Sequence, residues 1–212
     1  MRLYLGTDPE NCDLKDLIHY PIIKTVPLEI PSHIREDFAD YTHILFTSKN
    51  AVQILLTQFH SEKFKNKRLI AIGKSTAAKL AQEGVASHLV SQNESQEGVI
   101  ELLKHQDLHD AYVFYPRSSL ARKKLEHYLS SRAVRHQICD LYETVFQKPE
   151  PFPDFASIDE IIFTSPSTVK GFVAAFGTIP HDKKLTCIGP ITEDELKKSL
   201  KHIEKCTCQS TP

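Results

Sequence analysis

The chain has 212 residues, of which 41% are hydrophobic and 25% are charged. These are globular values, which exclude a disordered or fibrous protein. With 26 basic against 27 acidic residues the formal net charge is −1, whereas a binder of nucleic acid or of an anionic membrane normally has a basic excess. No apolar run approaches the roughly 20 residues of a membrane-spanning helix, and residues 1–20 lack a signal-peptide core. We expect a cytoplasmic protein that binds neither nucleic acid nor membrane.

Cysteine and histidine spacings predict no metal site. The five cysteines are scattered, and the close pair Cys206 and Cys208 does not have the C-x-x-C spacing of a metal or redox motif. The eleven histidines form no HxH pattern. We therefore assign no metal.

Two pairs of similar segments recur along the chain. Residues 42–56 match residues 159–173 at five of fifteen positions, and residues 69–76 match residues 185–192 at four of eight. The second segment follows the first at nearly the same distance in both copies. Two matches in register predict two related structural units.

Each repeated segment has the form of a strand that runs into a helix. Residues 44–46 and 161–163 are short apolar runs, which are typical of strands buried on both faces. The same alternation predicts a strand over 112–115 and a helix over 119–130. Strands separated by helices of 10–15 residues indicate βαβ units and parallel sheets. The sequence therefore predicts an α/β protein with two similar domains.

Two extended segments, 24–30 and 138–147, do not fit this alternation. If both cross between the domains, the middle of the chain is inserted into a domain made from its two ends. The predicted division is domain one over 1–25 plus 148–212, domain two over 31–137, and linker strands over 26–30 and 138–147.

The turns after the repeated strands are the candidate binding loops. In open α/β sheets, ligands bind beyond the carboxyl ends of the strands, and the free N–H groups of helix starts suit carboxylates or phosphates. For each hydroxyl, simple helix capping is an equal alternative. Four such loops in two repeated units favour a polyanionic ligand. The candidates are Thr47, Ser48, Gly73, Lys74, Ser75, Thr76, Thr164, Ser165, Gly189 and Thr192.

Cationic candidates for pairing with ligand carboxylates are few. Arg117 directly follows a predicted strand and is joined there by Ser118, while Lys49 and Arg122 stand near other strand ends. No nucleophile triad, paired carboxylates or nucleotide-binding loop is evident. An enzyme of this kind would act by binding and orienting a reactive substrate.

The order of motifs carries a family resemblance. The motifs, in chain order, are FTSKNAV, IAIGKSTAAKLAQEGV, YPRSSLARKKL, YETV, IIFTSPSTV and CIGPITEDEL. In the order of these motifs the chain resembles the uroporphyrinogen-III synthases over residues 42 to about 196. The resemblance implies two flavodoxin-like parallel-sheet domains joined by a two-stranded linker, with the middle domain inserted. It also implies a substrate cleft between the domains.

The implied activity is the cyclisation of hydroxymethylbilane, a linear tetrapyrrole with eight carboxylates, to uroporphyrinogen III with inversion of ring D. The resemblance implies no metal and no other cofactor. It leads us to expect a monomer that makes a transient contact with the preceding bilane-forming enzyme. The alternative is a non-catalytic two-domain module that binds a small polyanion.

Residue by residue, the resemblance makes Tyr142 of YETV the candidate acid for departure of the substrate hydroxyl; a packed linker aromatic is the equal alternative. The loop residues named above match cleft positions of the family. Ile191 and Glu193 differ from the residues usual there. By comparison with the first repeat, residues 202–208 correspond to a strand.

Overall fold

The computed structural model describes residues 1–9 and 15–208. The strands are β1 (Arg2–Tyr4), β2 (Leu17–His19), β3 (Ile23–Pro27), β4 (His43–Phe46), β5 (Arg68–Ala71), β6 (Leu89–Val90), β7 (Tyr112–Ser118), β8 (Arg135–Phe146), β9 (Glu160–Phe163) and β10 (Lys184–Cys187). The helices are α1 (Ser32–Glu36), α2 (Lys49–Gln58), α3 (Lys74–Gln82), α4 (Gln96–Lys104), α5 (Lys124–Ser131), α6 (Pro166–Phe176) and α7 (Pro190–Cys208). Short 3-10 turns cover Asp37–Ala39, Ser61–Phe64 and Phe155–Ser157.

The chain divides into two compact units. Unit 1 comprises residues 1–24 and 144–212, and unit 2 comprises residues 25–143. The chain thus passes from unit 1 to unit 2 once and returns once. The linker strands expected at 26–30 and 138–147 stay a prediction.

Unit 2 contains the larger sheet, in the order β3-β8-β7-β4-β5-β6. All pairings from β8 to β6 are parallel. Apolar residues on alternate faces of the strands form two cores, as expected of a sheet covered on both sides. One core packs α2 and α3 against Ile44 and Phe46. The other packs α4 and α5 against Leu45 and Tyr115.

Unit 1 contains a parallel four-stranded sheet in the order β10-β9-β1-β2. Its core is rich in aromatic residues, and Phe172 of α6 packs edge-on against Phe163 of β9, with ring centroids 5.7 Å apart. Helix α6 ends at Gly177, whose φ of 74° is left-handed and therefore favours glycine. The two expected parallel α/β units are confirmed.

The two sheets share one spatial arrangement with different chain connections. In unit 1 the strands, read from β2, are second, first, third and fourth in chain order, which is the beginning of the flavodoxin-like order 2-1-3-4-5. In unit 2 the series β8-β7-β4-β5-β6 takes the same order when β7 and β8 are counted first. The arrangement superimposes β4 on β9 and β5 on β10, the same segments that are repeated in the sequence.

Two details differ from the sequence-based expectations. Helix α5 begins at Lys124 instead of residue 119, because β7 continues to Ser118 and the Ser118 hydroxyl accepts the N–H of Leu120 in a turn. In unit 1 the expected strand over 202–208 is wrong, since the backbone there continues as α7 to Cys208.

Candidate functional site

In sheets of the order 2-1-3-4-5 the switch point lies between the first and the third strand. In unit 2 it lies between β4 and β7, and in unit 1 between β1 and β9. Ligands of open α/β sheets bind outside the carboxyl ends of the strands at such points. The Thr-Ser pairs Thr47-Ser48 and Thr164-Ser165 follow β4 and β9 directly, so both occupy switch points.

In unit 2, Ser48 and Tyr142 are joined at the carboxyl end of the sheet. Ser48 is the N-cap of α2, and its hydroxyl oxygen accepts the N–H of Ala51 at 3.0 Å. The same oxygen lies 2.8 Å from the Tyr142 hydroxyl. Tyr142 reaches this position because β8 pairs beside β7, where a bulge places Ser118 opposite Tyr142. The structure thereby brings together two residues 94 positions apart.

The surroundings of Tyr142 keep its phenol protonated. Its side chain is nearly buried, at 6% exposure. Burial raises the pKa of Tyr142, and the hydrogen bond with Ser48 offsets only part of that rise. When Ser48 donates to the phenolic oxygen, a chain runs from the Ala51 N–H through both hydroxyls and leaves the phenolic proton free to be donated. The positive end of the α2 dipole favours donation in this direction.

A second buried phenol stands beside this pair. Tyr115 is fully buried on β7, where burial raises the pKa of its phenol and the Thr47 side chain opposes that rise. Gln96, at the start of α4, donates to the Tyr115 hydroxyl at 3.2 Å and to the carbonyl of Arg122 at 2.8 Å. Neither Tyr115 nor Gln96 was a sequence candidate. Tyr115 lies inside the apolar FYP strand, and Gln96 had no motif to mark it.

The start of α3 already holds a carboxylate of the chain itself. Glu94 Oε1 accepts the backbone N–H of Lys74 at 2.9 Å. A Cβ on Gly73 would come within 2.3 Å of the Glu94 side chain, so a larger residue at this position would displace the Glu94 carboxylate. Lys74 and Ser75 are exposed at the same helix start, whereas Thr76 is buried at 2% exposure. Thr76 therefore packs into the core and does not face solvent.

Arg117 has a structural role that differs from the expected one. Its guanidinium is buried and donates from Nε to Asp140 and from Nη1 to Glu126, both at 2.8 Å. These carboxylates tie β7 to β8 and to α5, and they take two of the five N–H donors of the buried guanidinium. Ser118 is likewise used in the turn that its hydroxyl caps.

Arg122 is also engaged within unit 2. It forms a bidentate pair with Glu97 at 2.7 and 2.8 Å. Hydrogen bonds from Arg122 and then from Lys124 lower the pKa of Glu97 to about 2. Glu97 therefore stays ionised and holds both cations at the start of α4.

In unit 1 the loop after β9 forms a capped start of helix α6. Ser165 is the N-cap of α6 and accepts the N–H of Thr168, while the Thr168 hydroxyl oxygen accepts the N–H of Ser165. Thr164 lies so close to the end of β1 that a Cβ on Gly6 would meet its hydroxyl at 2.7 Å. This reciprocal capping fixes the entry of the chain into α6.

Ser165→Ala is expected to destabilise the protein by about 1 kcal/mol, because an N-cap hydroxyl is lost. Urea unfolding followed by circular dichroism measures the change. Ser167→Ala, inside the first turn of the same helix, is the matched control and should leave the midpoint nearly unchanged. Equal midpoints for the two variants would show that the cap contributes nothing.

The loop after β10 contains the last two candidates. Gly189 has a φ of 90°, in the left-handed region that favours glycine, and is exposed. Thr192 is buried, and its hydroxyl donates to the carbonyl of Ile188 at 3.2 Å. The isoleucines Ile188 and Ile191 are exposed at this helix start, together with Pro190 and Glu193.

Among the residues that the structure describes, no group of three or more His, Cys, Asp or Glu side chains could hold a metal ion. None of the helices within the described ranges is long and apolar enough to span a membrane.

Parallel α/β units with hydroxyls and helix starts at their switch points are typical of ligand-binding proteins of the flavodoxin-like class. The chain belongs to the family described as uroporphyrinogen-III synthase HemD, whose model matches residues 16–204. A porphyrin biosynthesis protein HemD of Ruminiclostridium josui is 27% identical over 97% of this chain. A putative uroporphyrinogen-III synthase of Methanothermobacter thermautotrophicus is 26% identical over 73% of this chain and 68% of its own length. The chain spans only 43% of the length of the Ruminiclostridium protein.

Solved structures show the same fold. A mutant uroporphyrinogen III synthase of Thermus thermophilus matches with a TM-score of 0.64 at 15% identity, covering 98% of this chain and 97% of that one. The uroporphyrinogen-III synthetase of Helicobacter pylori matches with a TM-score of 0.64 at 20% identity, covering 99% of both chains. At these identities the likeness establishes the fold alone.

Proposed function

We propose that this chain converts hydroxymethylbilane to uroporphyrinogen III with inversion of ring D. Family membership supports the reaction. The observation that carries the proposal for this chain is the Tyr142 hydroxyl, held 2.8 Å from the Ser48 cap of α2. Such a neutral phenol at the end of a chain of donors suits a general acid.

The substrate carboxylates are proposed to bind at the helix starts. Glu94 already accepts the N–H of Lys74, so at the start of α3 a substrate carboxylate would take the place of the Glu94 carboxylate. Thr47, Ser48 and exposed Lys74 and Ser75 are the proposed contacts in unit 2. In unit 1 they are Thr164, Ser165 and Gly189. We propose that the bilane lies in a cleft between the two units, so that contacts with both impose its folded shape.

The proposed chemistry begins with loss of the terminal hydroxyl. Tyr142 donates its proton to that oxygen, and the C–O bond breaks. Water departs, and the methylene carbon that remains is electrophilic. Ring D attacks this carbon through its substituted position and forms a spiro intermediate. The intermediate reopens, and the final closure inverts ring D and releases a proton that restores the phenol. The net change is the loss of one water molecule.

Binding of the substrate must determine which isomer forms. Without a catalyst the bilane closes to the symmetric isomer I, so the enzyme must stabilise the spiro path relative to direct closure. Contacts that strengthen only along that path raise the rate to isomer III. Because Arg117 is tied to Asp140 and Glu126, the contacts come chiefly from N–H and hydroxyl groups.

The decisive experiment is incubation of the purified protein with freshly made hydroxymethylbilane, followed by oxidation and chromatographic separation of the isomers. We expect mainly isomer III without added metal or cofactor. Heat-denatured protein is the control and should give the isomer I of the buffer reaction. A product no richer in III than that control contradicts the synthase proposal. Tight binding of the bilane in the same sample would instead support the non-catalytic polyanion-binding module.

A further inference from the structure

A cleft of about 280 Å³ lies in unit 2 away from the residues proposed for the reaction. Its walls come from the segments just before β4 and just before β5: Arg35, Glu36, Ala39, Glu62, Lys63 and Lys67 are among them. These segments precede the strands, so the cleft is at the amino ends of β4 and β5. The proposed substrate residues are at the carboxyl ends. The cleft is therefore a separate place on the molecule.

The feature that distinguishes this cleft is Lys67, whose side chain is only 5% exposed. Its ammonium donates to the carbonyls of Ala39 at 3.1 Å and Tyr41 at 2.6 Å, and it lies 5.0 Å from the centre of the Phe38 ring. An ammonium has three donors, so one N–H remains beyond these two carbonyls. In the described part of the chain, no carboxylate forms an ion pair with Lys67.

A buried cation without a counter-ion is costly. Burial lowers the pKa of Lys67, and the more distant charge of Asp40 opposes that change. The backbone carbonyls and the Phe38 ring supply partial negative charge, but none of them neutralises the ammonium. An anion bound in the cleft would supply the missing charge and accept the remaining N–H.

The other cations of the cleft are also bound to neutral partners. Arg35 donates to the side-chain oxygen of Gln58 at 2.8 Å and to the carbonyl of Ile30 at 3.4 Å. Lys63 lies 5.6 Å from the centre of the Phe59 ring. Both side chains are exposed at the cleft and keep donors toward solvent.

The acidic side chains of the cleft do not cancel these charges. Glu62 pairs with Lys65, which is outside the lining, at 2.6 Å. The lining therefore carries three cations against two carboxylates, Glu36 and Glu62, while Asp40 acts on Lys67 from outside the lining. The lining is electropositive around Lys67.

We propose that this cleft binds a small oxyanion, a phosphate- or carboxylate-bearing molecule, with Lys67 as the central donor and Arg35 and Lys63 at the rim. Hydrogen bonds from charged donors to such oxygens are strong. The volume is near the lower end of ligand pockets, about 300 Å³, which restricts the ligand to small molecules. The site does not depend on the proposed cyclisation.

The test is calorimetric titration of the whole chain with inorganic phosphate and, in a separate arm, with malonate, at constant ionic strength. We expect saturable binding of at least one of them, and the tighter arm identifies the oxyanion chemistry. Amide chemical shifts should change around residues 35–39 and 62–67. Lys67→Met should weaken binding roughly 10-fold or more, because a charge-assisted hydrogen bond is lost. Lys104→Met, at an exposed lysine on α4 with the same change in charge, is the control and should bind like the unmodified chain.

If Lys67→Met does not fold, the double variant Arg35→Gln with Lys63→Gln, both at exposed positions, decides the question and should weaken binding by a similar factor. The proposal is overturned by three results: no saturable binding of either anion, equal affinity in the Lys67 and Lys104 variants, or shift changes confined to residues 47–48 and 73–76. Failure of anion binding in this cleft would not bear on the proposed cyclisation, because the isomer assay tests the residues at the carboxyl ends of the strands.

Discussion

Tyr142→Phe is expected to lower kcat for isomer III formation by about 100-fold or more, because a general acid contributes that much to proton transfer. The change removes only the phenolic oxygen and keeps the ring that packs in unit 2. Since the proton is donated only as the C–O bond breaks, the loss should appear in kcat, with KM nearly unchanged. Steady-state kinetics with separated isomers measure it.

The folded state should tolerate this change. The lost hydrogen bond to Ser48 is worth about 1 kcal/mol, so the unfolding midpoint should fall only slightly. Ser48→Ala removes the partner hydroxyl and the α2 cap but leaves the phenol in place. It should lower kcat/KM by no more than about 10- to 150-fold, the range for one hydrogen bond to a charged group.

Tyr41→Phe is the matched control for Tyr142→Phe. Tyr41 is also buried, at 1% exposure, but precedes β4 at the amino edge of the sheet. Its variant should keep full activity. Nearly full activity of Tyr142→Phe together with a loss in Ser48→Ala would show that Tyr142 is a packing residue and that the acid proposal is wrong.

The double variant Asp140→Asn with Glu126→Gln is expected to destabilise the protein by about 2–4 kcal/mol. Breaking a buried ion pair from one side typically costs about 3–5 kcal/mol, because a buried charge is left unpaired. The estimate is lower here because the side chains of Glu126 and Asp140 are 31% and 44% exposed, and solvent screens them. Chemical unfolding in urea gives the change.

Arg117→Met is the contrasting variant. It leaves two carboxylates that can turn toward water, whereas the double variant leaves a guanidinium that cannot. We expect Arg117→Met to cost less, about 1–2 kcal/mol. A smaller loss of stability in the double variant than in Arg117→Met would contradict the idea that an unpaired buried guanidinium is the main cost.

The same ion pair predicts a pH dependence. Hydrogen bonding from Arg117 lowers the pKa of Glu126 in the folded protein below its ordinary value of 4.5. The stabilisation is therefore complete above that value and is lost as the pH falls through the lower pKa of the folded state. Arg117→Met should flatten the acidic limb of the stability profile.

The sequence by itself determined the elements, the duplication and the chemistry of the loops. Apolar runs such as residues 44–46 and 161–163, each followed by Thr-Ser, specify strands with capped helices, because strand burial and capping are local properties. The motif order also placed the chain in its family. Tyr142 and Ser48 are both candidates from the sequence alone.

Only the tertiary structure decided which of these residues meet. Strand order is set by pairings distant in sequence, so the permuted order that aligns β4 with β9 could not be read from a linear repeat. The same pairings bring Tyr142 onto Ser48 and tie Arg117 to Asp140 and Glu126. A cation after a strand looks the same in sequence whether it faces a ligand or two carboxylates of its own chain. Burial and partners distinguish the two, and both arise only when β7, β8 and α5 pack together.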